Sequence, residues 1–268
     1  MGPKFELGTE FYSHYTGLSG AELALRLRNI RDRAWAIAPY PCIGQWSFLL
    51  PGLSSLPVYS SVQKRAQLGA TVLDLGCGLG QDLRRLAASG ATKLYAVDVR
   101  PEIWELGLEL FGDKEKPVAK FLWSDAWMNR FAEPMLGNLG VLDEVRSSVD
   151  VIIVCQFIDL FHWPDQLSIG KTIVELSKVG TQVVGYTRGT VTEEVGEYFD
   201  QDSLTSRMFH DYVSFRTLWW DIGQSTGTKW KVEADLVELS EWGFEPEDIN
   251  WMKGPTPKGF SFVVTRTS

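Results

Sequence analysis

The residues best placed to do chemistry are three glycines behind an apolar run, in Thr71-Val72-Leu73-Asp74-Leu75-Gly76-Cys77-Gly78-Leu79-Gly80-Gln81-Asp82. Backbone without side chains can turn sharply there and lie directly against a ligand. A dinucleotide fingerprint would place its third glycine at position 81, where Gln stands, so that spacing fails. Three acids stand at the ends of successive expected strands: Asp74 before the glycines, Asp98 eighteen residues after Gly80, and Asp125 after the third strand. Ligands of open α/β sheets sit beyond those strand ends. An acid at Asp98 can accept from both hydroxyls of a ribose, and one at Asp125 from an adenine amino group.

A second group could serve an acceptor. His162, in Ile158-Asp159-Leu160-Phe161-His162-Trp163, lies just past the fourth expected strand and is the best-placed base, with Asp159 to orient it. His14 and His210 are the other two histidines, each of them also readable as plain surface. Arg31, Arg33 and Arg188 could fork onto a carboxylate, although basic residues on a helix are more often a solvated face. Trp35, Tyr40 and Trp46 could wall a pocket for a flat or greasy molecule; the eleven tryptophans of the chain also suit core packing.

These residues need elements to hold them. Strands are expected at Thr71–Leu75, Lys93–Asp98, Ala119–Trp123, Val149–Gln156 and Gly180–Tyr186. They alternate with helices at Gln81–Ser89, Pro101–Phe111, part of Asn129–Val145, and Gln166–Lys178. That alternation implies a parallel sheet covered on both faces with right-handed crossovers. Trp230–Leu239 and Gly259–Arg266 read as a final antiparallel pair. Residues 1–65 read as an N-terminal helical cap, with an amphipathic helix over Gly20–Ala38 ended by Pro39 and Pro41, and a shorter one over Pro57–Leu68. Residues 66–268 form the main domain, and 187–229 break the alternation as a second cap element, helical over Phe209–Trp220.

Composition narrows the function. The 268 residues are 44% hydrophobic and 22% charged, as in a globular protein. The net charge of -8 would repel a phosphate backbone, so nucleic acid is an unfavourable partner. No apolar run approaches the roughly 20 residues of a membrane span. Cys42, Cys77 and Cys155 are far apart and without metal spacing, which fits reduced thiols, a cytoplasmic location and no metal.

The Asp-x-Gly-x-Gly-x-Gly form resembles motif I of class I S-adenosylmethionine-dependent methyltransferases. Residues 28–46, with Arg33-Ala34-Trp35-Ala36-Ile37-Ala38-Pro39-Tyr40-Pro41-Cys42-Ile43-Gly44, together with Gly80-Gln81-Asp82-Leu83-Arg84 and Asp98-Val99-Arg100-Pro101-Glu102, look like a narrower group. They resemble fungal O-methyltransferases of meroterpenoid and polyketide pathways, including those that esterify a farnesylated aromatic acid. The likeness covers about half the chain. It implies a Rossmann-like, mostly parallel seven-stranded sheet with one antiparallel edge strand, helices on both faces, the N-terminal cap and a helical insertion after strand five. It also implies a site for S-adenosyl-L-methionine, leaving S-adenosyl-L-homocysteine, made by Asp74, Gly76, Gly78, Gly80, Asp98, Val99, Asp125, Ala126, Trp127 and Gln156. Trp127 or Phe157 would stack on adenine. The expected acceptor is a small apolar or aromatic molecule, methylated on oxygen and most readily on a carboxylate, with His162 and Arg188 as catalytic groups. Methylation of a phenol or enol with His162 as base, carbon methylation, and cofactor binding without catalysis stay open. A homodimer through the cap is a further open expectation.

Overall fold

The computed structural model describes residues 3–124, 140–200 and 205–268. Helices α1 (Pro3–Thr16), α2 (Gly20–Ile37), α3 (Pro41–Gly44) and α4 (Tyr59–Gln67) precede the first strand. There follow β1 (Val72–Leu75), α5 (Gln81–Ala88), β2 (Leu94–Asp98), α6 (Pro101–Phe111), β3 (Lys120–Trp123) and β4 (Val149–Ile153). The chain continues through α7 (Trp163–Leu176), β5 (Ser177–Gly189), β6 (Gly196–Asp200), β7 (Thr205–Phe209), α8 (Tyr212–Thr226), β8 (Trp230–Val237), α9 (Pro246–Trp251) and β9 (Lys258–Arg266).

Seven strands form one sheet in the order β3-β2-β1-β4-β5-β9-β8. The first five in sequence are parallel, and β9 is the single reversed strand, paired antiparallel to β5 on one side and to β8 on the other. It therefore lies one place in from the edge, which β8 covers. The order reverses between β1 and β4, so the carboxyl ends of β1, β2 and β4 open onto one crevice.

Alternating side chains of the central strands feed two cores. Leu73, Leu75, Ile152 and Val183 pack with α7 and α8 through Ile169, Ile173, Phe215 and Trp219. Val72, Val151, Ile153 and Val184 pack with Leu83, Leu86 and Trp104 on the other face. A third core joins the cap to α6: Leu23, Leu27, Ile30 and Tyr12 meet Ile103, Leu106, Leu110 and Phe111. Tyr12 is fully buried, stacks on Phe111 at 5.2 Å and donates to the carbonyl of Phe48 at 2.8 Å.

Some boundaries differ from the sequence expectation. Helix α7 begins at Trp163 rather than Gln166, because Pro164 in its first turn needs no N–H partner there. Strand β5 starts at once after it, through an irregular register between Val149↔Ser177 and Val151↔Gln182. The hairpin of β6 and β7 was not expected, and α8 starts at Tyr212 rather than Phe209. A capping box stops it there, with Asp211 accepting from the Ser214 N–H at 2.8 Å. Helix α8 lies on the sheet beside α7 and β8. Of the part-helical stretch expected over Asn129–Val145, residues 129–139 lie outside the described residues and Gly140–Val145 is a 3-10 turn. No described helix is long and apolar enough to cross a membrane.

Candidate active site

The glycine loop leaves β1 by turning back on β2: the N–H groups of Gly76 and Cys77 both donate to the Val97 carbonyl, at 2.9 and 3.1 Å. Gly76, Gly78 and Gly80 all have positive φ, at 79°, 52° and 73°. They serve different purposes. A Cβ on Gly76 would lie 2.4 Å from the Phe157 ring, and one on Gly80 would lie 2.5 Å from Trp104. A Cβ on Gly78 would meet nothing within 4 Å among the described residues, so toward them its backbone is bare and open. Below the loop Arg84, wholly buried, donates to the carbonyls of Leu79 and Gly80 at 2.7 and 3.1 Å.

The carboxylates gather at the same end. Asp98 accepts from the Gly78 N–H and the Arg100 N–H, each at 2.9 Å, which fixes its orientation toward the loop. Burial raises its pKa, opposed by those N–H groups. Asp74 is 4% exposed, and burial followed by repulsion from Asp82 and Asp98 pushes it well above the usual carboxylate range. Asp82, on the first turn of α5, is also buried and pushed up to about 6 by its burial. It was not among the expected site residues: an acid in a first helical turn reads as a dipole partner until its burial is seen. Val99 is half-buried and its carbonyl accepts from Trp123 Nε1 at 3.3 Å. Asp125, Ala126 and Trp127 lie outside the described residues.

The cap brings Tyr40 to this crevice. Tyr40 is half-buried, within electrostatic reach of Asp98, and takes a hydrogen bond from Arg100; burial raises its pKa. Its neighbour Cys42 feels Asp159 and Asp98, and burial pushes its thiol up to about 12. The other cap residues hold the cap itself. Arg31 lies 5.6 Å from both the Trp35 and Trp46 rings and donates to the Gly44 carbonyl at 2.9 Å. Trp35 packs on Gly44 so closely that a Cβ there would lie 2.4 Å from its ring. Arg33 pairs with Glu109 of α6 at 2.6 Å, with both side chains about half exposed.

Beyond β4, Gln156 adopts the left-handed conformation at φ 50°. Its N–H donates to the Tyr186 carbonyl at 2.7 Å and its Nε2 to the Tyr186 hydroxyl at 3.0 Å, two bonds that offset the strain of a non-glycine residue there. Asp159 is buried and accepts from Thr187 Oγ1 rather than facing His162. Two guanidinium groups act on it, Arg207 of β7 and Arg188 at the end of β5. Arg188 donates to the carbonyls of Lys253 and Pro255 at 2.8 and 2.6 Å and lies over the Phe209 ring at 4.4 Å. His162 caps α7, with Nδ1 2.8 Å from Asp165 Oδ2. His210 is 1% exposed, between Gln166 Oε1 at 2.7 Å and Ser214 Oγ at 3.0 Å, while His14 is exposed on α1.

Residues 6–49, the cap that carries Tyr40, match a family described as the meroterpenoid methyltransferase N-terminal domain. Over 221 residues the chain is 34% identical to O-methyltransferase phiE of a fungal species, covering 81% of this chain and 70% of that one. The chain belongs to this family of fungal methyltransferases. It is accordingly a methyltransferase. The asnovolin E/chermesin D methyltransferase nvfJ of Aspergillus novofumigatus is 30% identical over 223 residues, 82% of this chain and 77% of that protein. Among solved structures, phosphoethanolamine N-methyltransferase 2 of Haemonchus contortus has a TM-score of 0.52 at 15% identity, covering 78% of this chain and 54% of that one. That likeness is one of fold.

The site suits the family's methyl donor on its own chemistry. S-adenosylmethionine has no phosphate, but it has a ribose, an ammonium and a sulfonium. The open face of Gly78 admits a ligand against bare backbone, and Asp98 beside it is already oriented by two N–H groups. The surrounding buried charge is acidic, which favours a cation over an anion.

Proposed function

We propose that the protein transfers a methyl group to a carboxylate oxygen of a small, apolar polyketide or meroterpenoid acid, making a methyl ester. S-adenosylmethionine, when bound, supplies an electrophilic methyl on a sulfonium, and homocysteine thioether is what remains once the methyl–sulfur bond is exchanged for a methyl–oxygen bond. The protein has to position the acceptor and exclude water. A carboxylic acid is already ionised at neutral pH and asks for no base.

Arg188 carries this reading. Two main-chain carbonyls hold its guanidinium in place, yet its buried Nε–H has no hydrogen-bond partner among the described residues. A fixed guanidinium edge with a donor to fill is what a carboxylate seeks. With Arg207 it sets two positive charges against the single Asp159. Phe209 under Arg188 and Phe157 are buried, and half-buried Phe161, 4.9 Å from Phe157, is the apolar ring left for the acceptor's carbon skeleton. Val99, Gln156 and Tyr40 complete the proposed donor site around Asp74, Asp98 and the glycines; Asp125, Ala126 and Trp127, proposed for the same site, lie outside the described residues.

One observation favours a second reading, a phenol or enol acceptor. His162 Nδ1 lies 2.8 Å from Asp165 Oδ2, a proximity that is not aligned as a hydrogen bond, and a histidine beside a carboxylate can serve as a base through Nε2. Turnover of a prenylated aromatic acid, and of its hydroxyl analogue without the carboxyl, separates the two. Loss of acid turnover in Arg188→Lys with retention in His162→Asn supports the ester reading. The opposite pattern supports the base.

A further inference from the structure

We infer that Asp82 receives the α-ammonium group of the methionine part of S-adenosylmethionine, and that it couples this end of the ligand to the N-terminal cap. The inference rests on the methyl-donor reading above. Asp82 follows Gly80 by two residues and is 3% exposed, and its Oδ1 is buried with no hydrogen-bond partner. A buried, half-satisfied carboxylate is unfavourable unless something cationic completes it.

Nothing among the described residues does so. Among the described residues neither Asp82 nor Asp74 makes an ion pair. Arg84 is engaged by Asp113 and by the loop carbonyls. Arg85 acts on Asp82 only at electrostatic range, with its guanidinium 3.9 Å over the Phe11 ring of the cap. What does reach Asp82 is the N–H of Leu53, from the turn Gly52–Ser55 between cap and sheet. The bare face of Gly52 looks onto both carboxylate oxygens, with a Cβ position 3.5 and 3.6 Å from them and 3.1 Å from the Tyr186 hydroxyl. That hydroxyl is already taken by Gln156.

One carboxylate oxygen is thus held by Leu53 while the other, two residues on from Gly80, has no donor among the described residues. A primary ammonium suits that oxygen by its charge and its three N–H groups. Its arrival would relieve the mutual repulsion of Asp82 and Asp74 and strengthen the anchor that Leu53 makes.

The test compares equilibrium binding of S-adenosylhomocysteine with that of 5′-methylthioadenosine, which keeps the nucleoside and lacks the amino-acid part. Wild type binds the first more tightly. In Asp82→Asn, which keeps an acceptor for Leu53 and removes the charge, S-adenosylhomocysteine weakens by about tenfold or more while methylthioadenosine is unchanged. The sign is informative, because a site for the ligand's carboxylate would gain from losing Asp82. Methylthioadenosine binding also reports that the variant is folded.

The wild type alone gives a second readout. The preference for S-adenosylhomocysteine rises with pH through about 6, as Asp82 ionises, and is flat in Asp82→Asn. The groups that face Asp82 are Asp74 of β1, Arg85 of α5, Tyr12 of α1, Tyr59 of α4, Tyr186 of β5 and Cys155 after β4. Equal loss of both ligands in the variant, or no loss of either, overturns the inference, as does a pH-independent preference. A wild type that binds neither ligand overturns the methyl-donor reading and this inference with it.

Discussion

Arg84 and Asp113 form a fork beneath the cofactor loop, with Nε 2.7 Å from one carboxylate oxygen and Nη2 2.9 Å from the other. Arg84 is wholly buried, and its remaining amine holds the carbonyls of Leu79 and Gly80. Tyr15 of the cap donates to the same Asp113 at 3.1 Å, so cap, fork and glycine loop are one network. Removing one partner of a buried pair strands the other charge. Asp113→Asn is therefore expected to cost about 3–5 kcal/mol in chemical denaturation. Arg84→Met combined with Asp113→Leu should cost less than that single change, and a double variant worse than the single one would contradict the account.

The three glycines should respond differently to alanine. Gly78→Ala brings only the strain of a side chain at positive φ, about 1–2 kcal/mol, because its Cβ has room. It should fold, with a modest fall in melting temperature, and lose S-adenosylhomocysteine affinity by about tenfold or more because the open face is filled. Gly76→Ala and Gly80→Ala add a clash with Phe157 or with Trp104 and Arg84, and should be destabilised further. Calorimetric melting beside ligand titration separates the two classes.

His210 makes stability depend on pH. Burial lowers its pKa from 6.5 to about 4, so the folded state binds its proton less readily than the unfolded state. Its contribution is fully present above pH 6.5 and is lost as pH falls toward 4, amounting to about 3 kcal/mol. His210→Asn removes this part of the acid sensitivity. The stability gap between wild type and variant, measured by urea unfolding, should shrink steadily from pH 7 to pH 4. A constant gap would show that His210 does not titrate as described.

Arg188→Lys keeps the charge and loses the planar fork fixed by Lys253 and Pro255. The acceptor KM for an acid substrate should rise by about 10–100-fold, the worth of one charge-assisted hydrogen bond. S-adenosylhomocysteine affinity should be unchanged in the same variant.

Much of the glycine loop and its acids was legible because their placement depends on local order along the chain. A strand, an acid, three glycines and a helix specify the loop, and Asp98 falls at the end of the next strand. What was hidden depends on contacts distant in sequence. Asp82 matters because Leu53 and Gly52 bury it, and no pattern around position 82 announces that. Trp35 and Trp46 read as pocket walls and Arg31 as a carboxylate fork; that Arg31 also lies over both rings could not be read from the sequence, since stacking and a site lining use the same residue types. The hairpin of β6 and β7 pairs only with itself and so lacks the apolar run of a sheet strand. Asp159 stood near His162 in sequence, but the fold gives Asp159 to Thr187 and Asp165 to His162.

The most direct test of the central claim follows the methyl group. The purified protein is given S-adenosylmethionine labelled in that methyl and a prenylated aromatic acid, and the product is treated with mild alkali. Label that enters the product and leaves it as methanol is the expected result, since only a methyl ester behaves so. Label that stays on the product through alkali, or enters only a hydroxyl acceptor, would contradict carboxylate methylation.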